Sequence, residues 1–557
     1  MYHIISYVTM FAGIFLILLF LILNLINLIQ KHSSKTSFFA KDISNRTFVI
    51  LFCIILACAA FLRLYRLCEL PAGMHVDEAG MAYDAYCLAN YGVERFCNRF
   101  PVYLINYDSG QSALYAYLAA FFIKILGNSL LAIRLPAFFS GMYVVLFGGL
   151  IFKELFSKRT ALFGASLLAA CPYFMMASRF GFDCNLFLGC SVILIWLLLM
   201  AVKYQKHTLF LLAGLMCGMT LYSYSLSWLA VPMFLLLTLI YLLCFKKLRL
   251  KDFLFFTIPS VILAVPLLLL LYVNMTGGEA IVTPFFTIPV IPTFRSDGFS
   301  IANILPNLRT LFVMLLSQDQ YIFNSFDDYY TLYRLSIPFI IVGFVLMLIR
   351  LIHSLIRRQF SGLNVAFFFL LSMTVLGLIT TNPDIYRMNG IFFSMILLVV
   401  LCVHDLCSFM KHPTILLGSV LALYVLNAVF FIHFYFTQYQ DTYTMQWFFN
   451  DYCEDIFEEL KEEQPDCHIY VDNFNCSLYA YDMWIREVSP YDFSKENHPD
   501  MDGEECYLNT TYSLPDPSEI QEDCIYIVFE QNGFKDYLDG LSFTGTKHGY
   551  YFVYRHD

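Results

Sequence analysis

Charge is what this chain has least of: only 14% of its 557 residues are Asp, Glu, Lys or Arg, against 59% that are hydrophobic. A soluble domain cannot cover its surface with so little charge, so the soluble globular classes are excluded and a polytopic membrane protein is implied. The 17 cysteines include no CxxC pair and no zinc spacing. Most fall inside apolar runs, where a thiol acts as a small apolar group. There is also no Gly-rich phosphate loop, no heptad and no repeat of solenoid period.

What is there is a series of apolar runs separated by loops of alternating character. The first, Ile4 to Ile29, is too long and too lacking in a small-residue cleavage site for a plain signal peptide, so it is expected to stay as a span. Others lie near 47–62, 131–153, 160–178, 185–202, 208–223, 226–245, 252–273, 335–355, 363–381, 388–410 and 413–437. This gives about 12 spans. The loop with Lys31, Lys35, Lys41 and Arg46 falls on one side with KELFSKR, KYQKH, FKKLRLKD and IRRQ, so that side is expected to be cytoplasmic. Two large loops, 63–130 and 274–334, and the chain beyond 437 are then expected outside.

The expected domains are 1–46, an extra span with a basic loop; 47–437, a membrane domain; and 438–557, an extracytoplasmic tail. The tail holds 26 acids and 6 bases, against 17 and 28 before it. Its excess of acid speaks against nucleic acid as a partner. Apolar residues at helical spacing over Tyr443 to Glu463, with the runs HIYV, CYLNTTY, CIYIVF and YYFVY, predict a small α/β domain. Cys68, Cys87 and Cys97 outside, with five more in the tail, leave disulfide connectivity open.

The first outer loop carries LPAGMHVDEAGMAYDAY, with Asp77 and Glu78 adjacent just beyond a span. Two acids beside a bilayer are costly unless solvated, paired or used. Farther along, Gln111 to Leu126 is apolar but short, which predicts an interfacial helix. Arg134 in AIRLP, Arg179 in SRFGFDCN and Arg387 in NPDIYRMNG fall at outer span ends, against the positive-inside bias. Three guanidiniums near one membrane face suit a lipid phosphate, because each offers a planar fork of donors. His75, Tyr83, Asp108, Gln111, Asp183 and Tyr386 are candidates to line the same site. In the second outer loop, QDQYIFNSFDDYYTLY suits either a sugar site or an aromatic belt at headgroup level.

The order HVDEA, NYDSGQSALYAYL, AIRLP and IYRMNG resembles the GT-C fold lipid-carrier-dependent glycosyltransferases. The likeness is to bacterial relatives of the dolichyl-phosphate-mannose protein mannosyltransferases and of the lipid A aminoarabinose transferase. It covers residues 47–437 and leaves the tail out. The resemblance implies that Asp77 is the catalytic aspartate, Glu78 a neighbour supporting acceptor or site geometry, and Arg387 the late arginine facing the lipid phosphate. It also makes Arg134 the arginine that follows the interfacial helix. One departure stands out: where those branches carry His-Pro-Pro or Lys-Pro-Pro, this chain has Asp108-Ser109-Gly110-Gln111. Donor and acceptor therefore cannot be copied from either branch.

The chemistry can also be built from the residues. A sugar on a polyprenyl phosphate needs a cation for the departing phosphate and a base for the acceptor hydroxyl. An ionised Asp77 can take the acceptor's proton in a single displacement that inverts the anomeric carbon. On a helix Asp77 and Glu78 point about 100° apart, so different tasks are expected. Glu78 is a candidate to orient an acceptor or to hold a divalent cation; no cofactor is otherwise implied. The expected partners are a polyprenyl-phosphate-sugar donor, a protein, glycan or lipid acceptor, and membrane lipids. Two other classes stay open, a lipid or solute transporter and a scaffold working through the acidic tail. A transporter would place its charges at mid-membrane rather than at the outer edge.

Overall fold

The structure, a computed structural model, describes residues 2–29, 42–107, 109–294, 299–316, 329–381, 383–409, 413–442, 445, 448–449, 453–473, 478–497 and 506–556. Helix α1 (Tyr2–Ile29) and α2 (Asn45–Leu64) lead into α3 (Val76–Tyr91), the hairpin β1 (Tyr103–Asn106) with β2 (Ser109–Ser112), and α4 (Leu114–Leu126). There follow α5 (Leu130–Leu155), α6 (Lys158–Ala170), α7 (Pro172–Met176), α8 (Asp183–Tyr204), α9 (His207–Leu221), α10 (Ser227–Cys244) and α11 (Leu250–Thr276). A short hairpin, β3 (Ile281–Val282) and β4 (Thr287–Ile288), precedes α12 (Ile304–Leu316), α13 (Ser336–Arg357), α14 (Gly362–Ile379), α15 (Gly390–Phe409) and α16 (Pro413–Thr437).

Among the described residues, 10 helices are long and apolar enough to cross a membrane: α1, α2, α5, α8, α10, α11 and α13 to α16. The expected spans at 160–178 and 208–223 are shorter helices, α6 with 13 residues and α9 with 15. At a rise of about 1.5 Å per residue, neither alone matches a hydrocarbon core about 30 Å thick. Helices α8 and α15 are almost wholly buried and form the centre, while α2, α11 and α13 turn apolar side chains such as Ile54, Ile262 and Ile349 outward, as lipid-facing helices do. Contacts hold three of the basic loops together. Lys158 donates its backbone N–H to Asp42 Oδ2 at 2.8 Å, and Lys203 Nζ pairs with Glu154 at 2.7 Å.

The tail contributes α17 (Cys453–Glu463), β5 (Ile469–Val471), α18 (Leu478–Arg486), α19 (Pro490–Glu496), β6 (Cys506–Tyr507), β7 (Thr510–Thr511), β8 (Ile525–Phe529), α20 (Phe534–Asp539), β9 (Phe543–His548) and β10 (Tyr551–His556). They build a six-stranded sheet in the order β6-β7-β5-β8-β10-β9, with β5 parallel to both β7 and β8. Central strand β8 is buried on both faces. Ile527 and Phe529 join the core shared with α17, α18 and α3, whereas Tyr526 and Val528 face the core of α20. The described cysteines are free.

Candidate active site

The stretch after α2 turns into α3 because its first residues supply every element of a helix start. His75 is the N-cap, and its Nδ1 accepts the backbone N–H of Asp77 at 3.1 Å. Asp77 and Glu78 put negative charge in the first turn, where the helix dipole favours it. Gly92, at φ 72°, closes the far end in the left-handed conformation that glycine adopts without strain. Burial pushes the His75 imidazole down to about 3, so the ring is neutral and carries its proton on Nε2. His75 meets Phe182 edge-on at 4.7 Å, which ties the start of α3 to the turn before α8.

The two adjacent carboxylates have separate surroundings. Asp77 keeps 46% of its side chain exposed, whereas Glu78 is fully buried against an equally buried Arg134. Glu78 Oε1 accepts Arg134 Nε at 3.0 Å and the Gly181 N–H at 2.7 Å, and Oε2 accepts Nη2 at 3.1 Å. The other Arg134 N–H groups go to the carbonyls of Leu67, Pro71 and Gly73. All donors of this guanidinium are therefore spent on the segment leading into α3, and none is left for a phosphate. With its oxygens engaged in the same lock, Glu78 is not available to a divalent cation. Among the described residues, no group of three or more His, Cys, Asp or Glu is arranged to hold a metal ion.

Arg179 departs from the expectation in the same way. It caps the end of α2, donating to the carbonyls of Leu62, Arg63, Tyr65, Arg66 and Leu70 and to the Tyr435 hydroxyl. Arg63, which the sequence reading passed over, does the converse from within α2. It donates to the carbonyls of Leu168, Ala169 and Phe174 at the end of α6 and in α7. Arg179 thus supplies donors to carbonyls at the C-terminal end of α2, and Arg63 to carbonyls at the end of α6 and in α7, where the dipole also favours a cation. A charged residue inside an apolar run was the available signal.

Arg387 is different. It lies in the α14–α15 connector with 25% of its side chain exposed. Its Nη1 donates to the Thr381 carbonyl at 2.8 Å, and its Nε lies 3.3 Å from Asp384 Oδ2. Burial raises Asp384 to about 6 against the pull of Arg387. Tyr386, under the Arg387 guanidinium at 5.7 Å, is held well above the ordinary phenol value by burial and by the Asp384 and Asp77 charges. Asp77 also acts electrostatically on Asp183 and Tyr107. Asp77 on α3 is thus linked electrostatically to Asp183 at the start of α8 and to Tyr386 in the α14–α15 connector. Asp183 is anchored, its two oxygens accepting the N–H groups of Cys184 at 2.7 Å and Ser112 at 3.3 Å.

Of the other candidate lining residues, Gln111 lies buried on β2 opposite Leu104, and its Oε1 has no hydrogen-bond partner among the described residues. Tyr83 departs from expectation: it is fully buried and its ring meets Phe493 of α19, so it faces the tail. Asp108 and most of QDQYIFNSFDDYYTLY lie outside the described residues.

A second buried ion pair holds the tail on α3. Arg95 meets Asp84 through Nε at 2.9 Å and Nη2 at 2.7 Å, and its Nη1 donates to the hydroxyl of Tyr479 in α18 at 2.9 Å. Gly80 makes this approach feasible, since a Cβ there would lie 2.5 Å from Asn106 Oδ1 and 3.0 Å from Arg95 Nη2. Sequence reasoning missed this lock because its partners lie 11 and 384 positions apart.

Residues 111–272 match the family model for dolichyl-phosphate-mannose-protein mannosyltransferases. That segment holds Arg134, Arg179 and Asp183 but neither Asp77 nor Arg387. The fold resembles the crystal structure of ArnT from Cupriavidus metallidurans bound to undecaprenyl phosphate. The TM-score is 0.54 at 11% identity, covering 92% of this chain and 98% of that one. The apo state of the same protein gives 0.54 at 11% identity, covering 91% and 98%. The archaeal oligosaccharyltransferase AglB from Archaeoglobus fulgidus, in complex with an inhibitory peptide and a dolichol-phosphate, is a weaker likeness. Its TM-score is 0.48 at 14% identity, over 80% of this chain and 64% of that one. No curated protein matches the chain significantly. The chain is a multi-pass membrane protein with the fold of the lipid-carrier-dependent GT-C glycosyltransferases.

Proposed function

We propose that this protein transfers a sugar from a polyprenyl-phosphate donor to an acceptor hydroxyl on the extracytoplasmic face of the membrane. The observation that carries the reading is a pair of exposed groups of opposite charge. A half-exposed carboxylate, Asp77, and a partly exposed guanidinium, Arg387, come from opposite parts of the chain and both act electrostatically on Tyr386. The dolichyl-phosphate-mannose-protein mannosyltransferase family that residues 111–272 match, and the undecaprenyl phosphate bound to ArnT, support the same donor class. The alternation of basic loops supports the sidedness.

In this mechanism the acceptor hydroxyl gives its proton to Asp77 as its oxygen bonds to the anomeric carbon. The bond from that carbon to the phosphate oxygen breaks on the opposite side, its electron pair stays with the carrier phosphate, and the configuration inverts. Arg387 meets the charge that develops on the phosphate, a contribution that grows toward the transition state. Asp183 uses two acceptor positions on the backbone and keeps others for a sugar hydroxyl. Glu78 and Arg134 are positioning residues, fixing the turn from which Asp77 projects. Transfer of radiolabel from polyprenyl-phosphate sugars in vesicles containing the purified protein tests the reading. Label should move to an acceptor with inverted configuration. Solute flux without transfer would replace the enzyme by a transporter.

A further inference from the structure

At the far end of α3, roughly 20 Å from Asp77 at about 1.5 Å of helix rise per residue, a crevice of about 380 Å³ opens between the first outer loop and the tail. Tyr86, Asn90 and Tyr91 of α3 form one side, Asn128 after α4 another, and Glu487 after α18 the third, with Ile123 buried at the base. We propose that this crevice binds a neutral carbohydrate, and that it is an acceptor subsite, which makes the acceptor a glycan or a glycosylated molecule. The assignment to the acceptor rests on the transferase reading; the binding chemistry stands without it.

The lining has the chemistry of a sugar site. Its volume lies in the range of small-ligand pockets, and its polar groups are amides, phenols and one carboxylate, all suited to hydroxyl partners. Tyr91 is 39% exposed and Tyr491, which meets it at right angles at 5.9 Å, is 50% exposed. Together they offer flat amphipathic faces for the C–H surface of a pyranose. The lining holds a carboxylate and no cation, which opposes a phosphate headgroup or an acidic sugar and leaves a neutral polyhydroxyl.

Two further observations point to a ligand. The Asn128 amide has Nδ2 donating to the Trp484 carbonyl at 3.1 Å and to Glu487 Oε1 at 3.3 Å, yet its buried Oδ1 has no hydrogen-bond partner among the described residues. An acceptor buried without a partner is costly, so turning the Asn128 side chain to present Oδ1 to a ligand hydroxyl in the crevice it lines would be favoured. Glu487 itself stands at φ 57°, the left-handed conformation that a glycine would adopt at less cost, with its side chain on the crevice. The Tyr86 hydroxyl donates to the Glu487 carbonyl at 2.8 Å, so the site is complete only with the tail docked on α3.

The test is direct binding to the full-length protein in nanodiscs. Calorimetry and saturation-transfer NMR would use neutral tetrasaccharides of hexose and of N-acetylhexosamine, with a uronic-acid tetrasaccharide as the charged control. At least one neutral probe should bind, the uronic acid about tenfold more weakly or not at all, and Glu487→Gln should narrow that gap. Tyr91→Ala and, as a surface change that spares folding, Asn90→Ala should each weaken the neutral probe about tenfold. No neutral probe binding at millimolar concentration, equal binding of the acid, or binding indifferent to both variants would overturn the site. Because binding is read without turnover, Asp77→Asn should bind the probe normally. If transfer fails in every assay while binding persists, the transferase reading falls and the carbohydrate site stands.

Discussion

The charged groups around α3 divide into two regions built from the same residue types. One is closed: Glu78 with Arg134, and Asp84 with Arg95, are fully buried carboxylate–guanidinium pairs whose remaining donors go to backbone carbonyls and a tyrosine. The other is open: Asp77 and the Asp384–Arg387 pair are partly exposed. A buried pair with every donor satisfied fixes geometry and has nothing left to offer a substrate. A partly exposed group can be reached by one. Exposure therefore separates the arginine that a phosphate can reach from the buried arginines that hold the site together.

Breaking the closed region should have the largest effect on folding. Arg134→Ala leaves Glu78 as an uncompensated buried charge, a change that typically costs about 3–5 kcal/mol. Thermal unfolding in detergent should show it as a large drop in Tm, with turnover lost only in proportion to unfolded protein. An Arg134→Ala protein that is stable but no longer binds donor would return Arg134 to the phosphate. In the open region the effect should be inverted. Arg387→Ala should lower turnover by about 100- to 1,000-fold, the scale of losing one transition-state donor, with little change in Tm. Arg387→Lys should fall between, since charge is kept and the fork is lost.

Part of this division was legible in the sequence. The membrane class and the α/β tail both follow from apolar runs and strand-like patterning. Which guanidiniums are filled does not, because the acceptors are main-chain carbonyls of Leu67, Pro71 and Gly73 or the end of α2, and every residue carries a carbonyl. Strand β9 was missed because TGTKH is exposed on an edge and shows no apolar alternation. Helix α18 was missed because LYAYDMWIR is short and its Asp482 reads as a surface acid. In the structure that carboxylate is buried between Arg486 at 2.6 Å and the Tyr512 hydroxyl at 2.5 Å.

Two smaller tests sharpen the comparison. Tyr479→Phe removes one acceptor from the buried Arg95 and should cost about 1–3 kcal/mol, loosening the tail from α3. Faster hydrogen exchange in α18 than in α15 would register it. The smallest effect concerns pH. Because burial raises Asp384 to about 6, lowering pH through that value protonates it in the folded protein and removes the negative charge beside Arg387. Donor binding should tighten a few-fold from pH 7.5 to 5, and Asp384→Asn should flatten the profile. The same sign applies to stability: the contribution of protonated Asp384 is present at low pH and is lost as pH rises through about 6.

The central claim is that Asp77 accepts the acceptor's proton. Its most direct test is single-turnover transfer by Asp77→Asn with donor already bound, alongside donor affinity and thermal unfolding of the same protein. Asn keeps the shape and removes the proton-accepting capacity, so transfer should fall by about 100- to 10,000-fold, with donor affinity and Tm close to those of the unaltered chain. Transfer at a near-normal rate, or a loss explained wholly by weaker donor binding or by unfolding, would contradict the assignment.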